Sequence, residues 1–290
     1  MDLRVLFTLP GVPRIALSRF AGFCARRRVP VFLRRRLWPA LSKRLGIARD
    51  SVPGEWSDYA SFLELFTRPL PEGSRPLPED DELWLSPADG LLVAHAKVAG
   101  EGSWNIKGSP YGTSELLPGL EPAQAEGWHA LQIYLAPRDY HRFHAPCDLE
   151  VIEACTEDGA LQPVDPSLIK RSWRVLKSNR RVLLHARTPS GERLALLFVG
   201  ALNVGGMRFS FDDTLGSEPW TNSRRRYDPP PRIARGGELG RFEFGSTVVL
   251  FSDARRAPLP APGERCRARE PLLASPLASM PPSAAEEESR

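Results

Sequence analysis

The stretch GRFEFGSTVVLF (residues 240–251) ends in a strand-like run but opens on two residues that do not suit one. Thr247, Val248, Val249, Leu250 and Phe251 are β-branched or apolar, which predicts a buried strand. Gly245 stands at its mouth with no side chain and a wide choice of backbone angles. Ser246 follows, placing a hydroxyl beside a carbonyl that nothing shields. Two readings fit: an ordinary turn before a strand, or a peptide bond open to attack by its own neighbour.

Similar short runs recur from residue 83 onward: Leu91–Ala94, Leu131–Leu135, Arg181–Ala186 and Leu194–Val199. Turn residues separate them, as in Asp89-Gly90 and Pro189-Ser190-Gly191. They do not alternate with helical patterns, which argues against a doubly wound parallel sheet. A helix is expected over Ser57–Phe66, where Tyr59, Phe62, Leu63 and Phe66 are the apolar positions. Residues 217–237, including RRRYDPPP, read as a polar surface loop. Seven prolines follow Arg256 and the chain ends EEESR, which predicts a disordered tail over 257–290.

The 290 residues carry a net charge of +4, unevenly spread. Residues 1–50 hold twelve Lys or Arg against Asp2 and Asp50, a basic arm of about +10 on a body of about −6. In that arm Pro13, Ala16, Leu17, Phe20, Phe23 and Cys24 follow a helical period. Leu33, Leu37, Leu41 and Leu45 repeat every four residues among arginines, with Pro39 as a kink or break. A basic amphipathic helix lying in a membrane interface fits best. An organelle-targeting segment is the alternative. A nucleic-acid patch is disfavoured, because polar readout residues and any known DNA-binding motif are missing. The uncharged apolar stretch Leu194–Met207 is 14 residues, short of the roughly 20 that a spanning helix needs.

Chemistry is concentrated in few places. The four cysteines, Cys24, Cys147, Cys155 and Cys266, form no CxxC pair and read as reduced thiols. Two of the five histidines, His141 and His144, lie three apart in YLAPRDYHRFHAP (134–146) between Pro137 and Pro146. A short helical turn there would put both on one face. A bland structural pair is one reading of them. A metal is not expected at this pair, since no third ligand is evident beside it. SPADG (86–90) is a tight turn in which Asp89 either bonds its own backbone or orients a histidine. Together, Asp89, His144 and Ser246 have the chemistry of a nucleophile, its base and the base's partner.

SPADG, YLAPRDYHRFHAP and GRFEFGSTVV resemble, in the right order, the three signature segments of the phosphatidylserine decarboxylase proenzymes. DYASFLELFTRPLPEGSRPL (58–77), IKGSPYGTSELLPG (106–119) and VGALNVGGM (199–207) are also similar to that family, so the resemblance covers roughly residues 12–255. It departs from the family at Phe244, where Leu is common, and at Arg180, where Glu is usual.

The resemblance implies an α+β chain. N-terminal amphipathic helices (1–50) would precede a β-rich, barrel-sandwich-like catalytic domain (51–256). Ser246 should open a central strand. It implies cleavage of the Gly245–Ser246 bond, with His144, held by Asp89, taking the Ser246 proton. Ser246 would become a covalent pyruvoyl cofactor that condenses with the amine of phosphatidylserine and draws electrons as carbon dioxide leaves. His141, one helical turn from His144, would donate the proton that follows. The product would be phosphatidylethanolamine, and no metal is implied. The β chain (1–245) and α chain (246–290) would stay together, in a homodimer of processed protomers. The expected partners are phosphatidylserine and an anionic membrane, not nucleic acid. The expected location is peripheral, on the cytoplasmic face of a bacterial cell membrane, with the mitochondrial inner membrane as the alternative. Two other functions remain open on sequence: a pyruvoyl decarboxylase of a soluble amino acid, and a non-catalytic membrane adaptor.

Overall fold

The computed structural model describes residues 20, 22–98, 103–106, 109–166, 174–201, 206–243, 246–253 and 256–274. Much of the basic arm, Phe244, Gly245 and residues 275–290 lie outside the described residues.

Helix α1 (Val31–Leu45) comes first among the named elements and carries Pro39 within one continuous helix. It ends at Gly46, whose φ of 80° suits a residue without a Cβ. Trp38 anchors it: the ring is buried among Ile47, Val52, Tyr59 and Leu65, and its N–H donates to the Tyr59 carbonyl at 2.9 Å. The leucine stripe is thus only half used. Leu41 and Leu45 pack on this cluster, while Leu33 and Leu37 are exposed. The helix expected over Ser57–Phe66 is shorter. A 3-10 turn spans Trp56–Asp58, and α2 covers only Phe62–Phe66, with the Ser61 hydroxyl accepting from Glu64 N.

The chain then becomes β-rich. Strands β1 (Trp84–Leu85), β2 (Gly90–Lys97), β3 (Ser103–Ile106) and β4 (Ser109–Gly112) lead to a short helix α3 (Thr113–Leu116). β5 (His129–Leu135), β6 (Arg142–His144) and β7 (Leu149–Glu157) precede α4 (Val175–Ser178). β8 (Arg181–Arg187), β9 (Arg193–Gly200), β10 (Met207–Phe209), β11 (Ser223–Arg226) and β12 (Arg232–Ile233) follow. β13 (Glu238–Phe242), β14 (Ser246–Ser252), β15 (Arg265–Cys266) and β16 (Pro271–Leu273) complete the series. Every strand anticipated from the apolar runs is present.

The main sheet has nine strands in the order β11-β7-β8-β9-β14-β5-β2-β15, with β12 also on β7, and its pairings are antiparallel. This is the β-rich α+β architecture expected, although the sheet's ends do not close into a barrel among the described residues. Alternation gives the sheet two apolar faces. Val248 and Leu250 face a core with Phe143, Phe198 and Phe242, whereas Val249 and Phe251 face a second core with Leu116, Leu117 and Leu197. The loop expected over 217–237 instead lends β11 and β12 to one edge of the sheet.

The predicted tail needs correction for 257–274. β15 pairs with β2, β16 pairs with β1, and Ala268, Leu272 and Leu273 are buried. Prolines were a misleading signal here. Pro271 sits at the first position of an edge strand, where its missing N–H costs little.

Candidate active site

Ser246 is the first residue of β14, flanked by β5 and β9, with Leu135 opposite on one side and Gly200 on the other. By alternation Ser246 shares the face of Val248 and Leu250. Its side chain is fully buried, and its Oγ has no hydrogen-bond partner among the described residues. A buried hydroxyl without a partner costs on the order of 1–3 kcal/mol, so the fold holds this one at an expense.

The chain leaves β5 at Leu135 and turns through 136–140. Asp139 closes that turn, accepting from Ala136 N at 2.8 Å. His141 follows, fully buried under the Phe66 ring, with centroids 3.9 Å apart. Its Nδ1 donates to the Asp139 carbonyl at 2.8 Å, since a carbonyl can only accept. That leaves Nε2 as a bare lone pair, and it too has no hydrogen-bond partner among the described residues. Burial lowers the His141 pKa to about 3, helped by the nearby Arg68 charge. His141 is therefore neutral near pH 7 in the uncut chain.

The two histidines do not lie on a helical turn. His144 ends β6, which pairs with β13, so alternation sends residues 141 and 144 to opposite faces. Pro137 and Pro146 bracket a segment too short to favour helix, and pairing with β13 decides its form. His144 Nδ1 donates to the Gly236 carbonyl at 3.0 Å, and its Nε2 takes the Tyr140 hydroxyl at 3.0 Å. Burial lowers its pKa below the usual imidazole value, with the Gly236 bond and Glu238 opposing. It too is neutral near pH 7, with its basic lone pair on Nε2.

Among the described residues, no hydrogen bond joins Asp89 to the His144 side chain. The Arg75 guanidinium grips its carboxylate with both terminal nitrogens, one bond at 2.7 Å, and Ala268 N donates to Oδ1 at 2.8 Å. The two segments meet through the backbone instead: His144 N donates to the Pro87 carbonyl of SPADG at 2.8 Å. Gly90 in the same turn is a packing requirement, because a Cβ there would sit 2.3 Å from the Tyr134 carbonyl oxygen.

Sequence reasoning missed four participants. Tyr140 lies inside the quoted histidine segment, four residues before His144, so its position could have flagged it. Arg75 lies inside 58–77, but nothing in the sequence ties it to Asp89. Glu238 is the cross-strand partner of His144, and only the register reveals it. Arg265 pairs with Asp139 from the segment read as a tail.

A model of the family described as phosphatidylserine decarboxylase matches residues 62–274. The chain belongs to the phosphatidylserine decarboxylase family. It is 37% identical over 243 residues to a phosphatidylserine decarboxylase proenzyme of Helicobacter pylori, covering 81% of this chain and 88% of the relative. It is 35% identical over 282 residues to the proenzyme of an Anaeromyxobacter species, covering 93% and 98%. It is 38% identical over 248 residues to that of Halorhodospira halophila, covering 84% and 83%. The family match takes in the segment 257–274, in accord with its folded state. Arg180, the departure from the family pattern, pairs with Asp158 and Glu218, and its guanidinium lies 4.8 Å from the centre of the Trp220 ring.

Proposed function

We propose that this chain is a self-processing decarboxylase that converts phosphatidylserine to phosphatidylethanolamine and carbon dioxide at a membrane surface. The observation that carries the reading is the bare, fully buried Ser246 hydroxyl at the start of a central strand. Most buried serines with a structural task use the hydroxyl in a hydrogen bond, and this one stands beside the bond that the signature segment marks for cleavage.

In the first stage Ser246 Oγ attacks the Gly245 carbonyl and the backbone shifts to an ester, with His144 Nε2 taking the hydroxyl proton. Tyr140 holds that lone pair in the uncut chain, so the Tyr140 bond must first be exchanged for one to Ser246. Asp89 serves as a positioning residue: with Arg75 it fixes the SPADG turn whose Pro87 carbonyl holds His144. Elimination then releases a chain ending in the Gly245 carboxylate and leaves dehydroalanine at 246. Its hydrolysis gives ammonia and an N-terminal pyruvoyl. That group supplies an electron sink for loss of carbon dioxide. His141 handles the proton in turnover at Nε2: neutral at first, it must be loaded before it can donate.

The membrane reading rests on the N-terminal region. Phe20, Phe23, Val31, Phe32, Leu33 and Leu37 are exposed large apolar side chains among exposed arginines. Such a surface suits partial burial in an anionic leaflet, as on the cytoplasmic face of a bacterial membrane. No helix among the described residues is long and apolar enough to cross a membrane.

The test is paired. The parental chain should run as two pieces on a denaturing gel, and Ser246→Ala as one of full mass. Carbon dioxide should then be released from phosphatidylserine vesicles and not from free serine. Cleavage of Ser246→Ala, or turnover of free serine alone, overturns the proposal.

A further inference from the structure

On the face of the sheet opposite Ser246 lies a group of side chains that the proposed chemistry does not use. Glu153 and His185 are direct cross-strand partners on β7 and β8, and Cys155 lies two residues beyond Glu153 on the same face. One ligand atom from each, a carboxylate oxygen, a thiol sulfur and an imidazole nitrogen, lies within 4.8 Å of the others. The histidine makes the kind of backbone hydrogen bond that metal-bound histidines usually make. Its Nε2 donates to the Pro118 carbonyl at 3.0 Å, leaving Nδ1 as the lone-pair nitrogen. A cation already occupies the carboxylate: Arg224 Nε donates to Glu153 Oε1 at 2.6 Å, although the Arg224 side chain is 58% exposed. The position therefore attracts positive charge, and the side chain that covers its carboxylate lies toward solvent.

We infer that Glu153, Cys155 and His185 form a site for a borderline-soft divalent cation, Zn²⁺ by preference, which Arg224 caps in the metal-free chain. One oxygen, one sulfur and one nitrogen donor suit Zn²⁺ better than Mg²⁺ or Ca²⁺, which favour all-oxygen sets. Three protein ligands leave a fourth position for water. Binding releases the Cys155 proton to solvent and turns the Arg224 guanidinium out into water, so charge and atoms balance without a further reactant. Burial raises the Cys155 pKa to about 12, so the free thiol keeps its proton until a cation displaces it.

The experiment is a Cd²⁺ titration, followed by the ultraviolet thiolate-to-metal charge-transfer band, with Zn²⁺ as competitor. It uses the full chain carrying Cys24→Ser, which removes the exposed thiol. The expected result is one Cd²⁺ per chain, displaced by Zn²⁺, with the band lost in Cys155→Ser and weakened in His185→Gln. Arg224→Gln should bind more tightly by roughly twofold to fivefold, the scale of a partly exposed ion pair that no longer competes. A purely structural Glu153–Arg224 pair has no reason to give that increase. Far-ultraviolet circular dichroism checks that each variant folds, and Cys155→Ala replaces Cys155→Ser if the latter does not. A missing band, a band that survives loss of Cys155, or Arg224→Gln binding no tighter overturns the inference.

Discussion

Ser246 and His141 each bury a polar atom with no partner among the described residues, at the end of the sheet where β5 turns toward β6. Their cost predicts a pH response. An unfolded His141 binds a proton below about 6.5, whereas the folded one stays neutral to about 3. Between these values the unfolded state holds more protons, so stability is full above pH 6.5 and falls as pH drops toward 3. This residue alone contributes up to about 1.4 kcal/mol per pH unit in that window. Urea unfolding of the uncut Ser246→Ala chain should show at least that slope, and adding His141→Asn should reduce it by this residue's share, the other four histidines, also held below the usual imidazole value by burial, keeping the rest. The Arg75–Asp89 pair predicts a second effect. Arg75→Ala strands a buried carboxylate and should destabilise by about 3 kcal/mol or more. Asp89→Asn in the same chain should restore part of that, and a strictly additive double mutant would show the pair to be uncoupled. The three chemical residue types were legible from their motifs. Their partners were not, because Arg75, Glu238 and Arg265 reach the site only through tertiary contacts.

Among the elements, strands were far easier to read than their surroundings. Residues 248–251 and 194–199 are unbroken apolar runs because β14 and β9 are buried on both faces. The exposed β11, SRRR, carries no such signal and exists because its backbone completes the β7 ladder. The histidine segment misled in the other direction, since a spacing of three suggests a helix when the ladder partner is unknown. The leucine stripe of α1 was half legible: its exposed half is the part assigned above to the membrane. Phe32, 74% exposed, is the most direct probe of that assignment. Phe32→Glu should lower binding to anionic vesicles in a sedimentation assay and leave chain cleavage unchanged. Equal sedimentation of variant and parent would move the contact elsewhere. Deleting residues 1–45 would be a poorer test, because it also removes buried Trp38 from its cluster.

At the scale of the molecule, distant parts of the chain converge on one end of the sheet. Arg75 precedes the sheet, Asp89 and His144 lie near its first strands, and the backbone of Ala268 comes from the far end of the sequence. Proline content hid that last contribution, because composition registers the scarcity of long apolar runs and not two short edge strands. Charge asymmetry, by contrast, was visible at once.

The place of β14 has a consequence for the molecule's history. Seven residues of this strand are in register with β5 on one side and β9 on the other. Both neighbours belong to the piece upstream of the proposed cut, so the shorter piece is clasped inside the longer one. Assembly as a single thread makes that insertion a local, first-order event. After scission the same insertion becomes an encounter between two molecules, and yield must depend on concentration. The mature protein would thus be easy to make and hard to remake. Denatured and diluted, Ser246→Ala should regain its fold at a concentration-independent yield, while the cleaved parent should recover poorly and better when concentrated. Equal recovery of both at all dilutions would mean that β14 can find its slot without the tether.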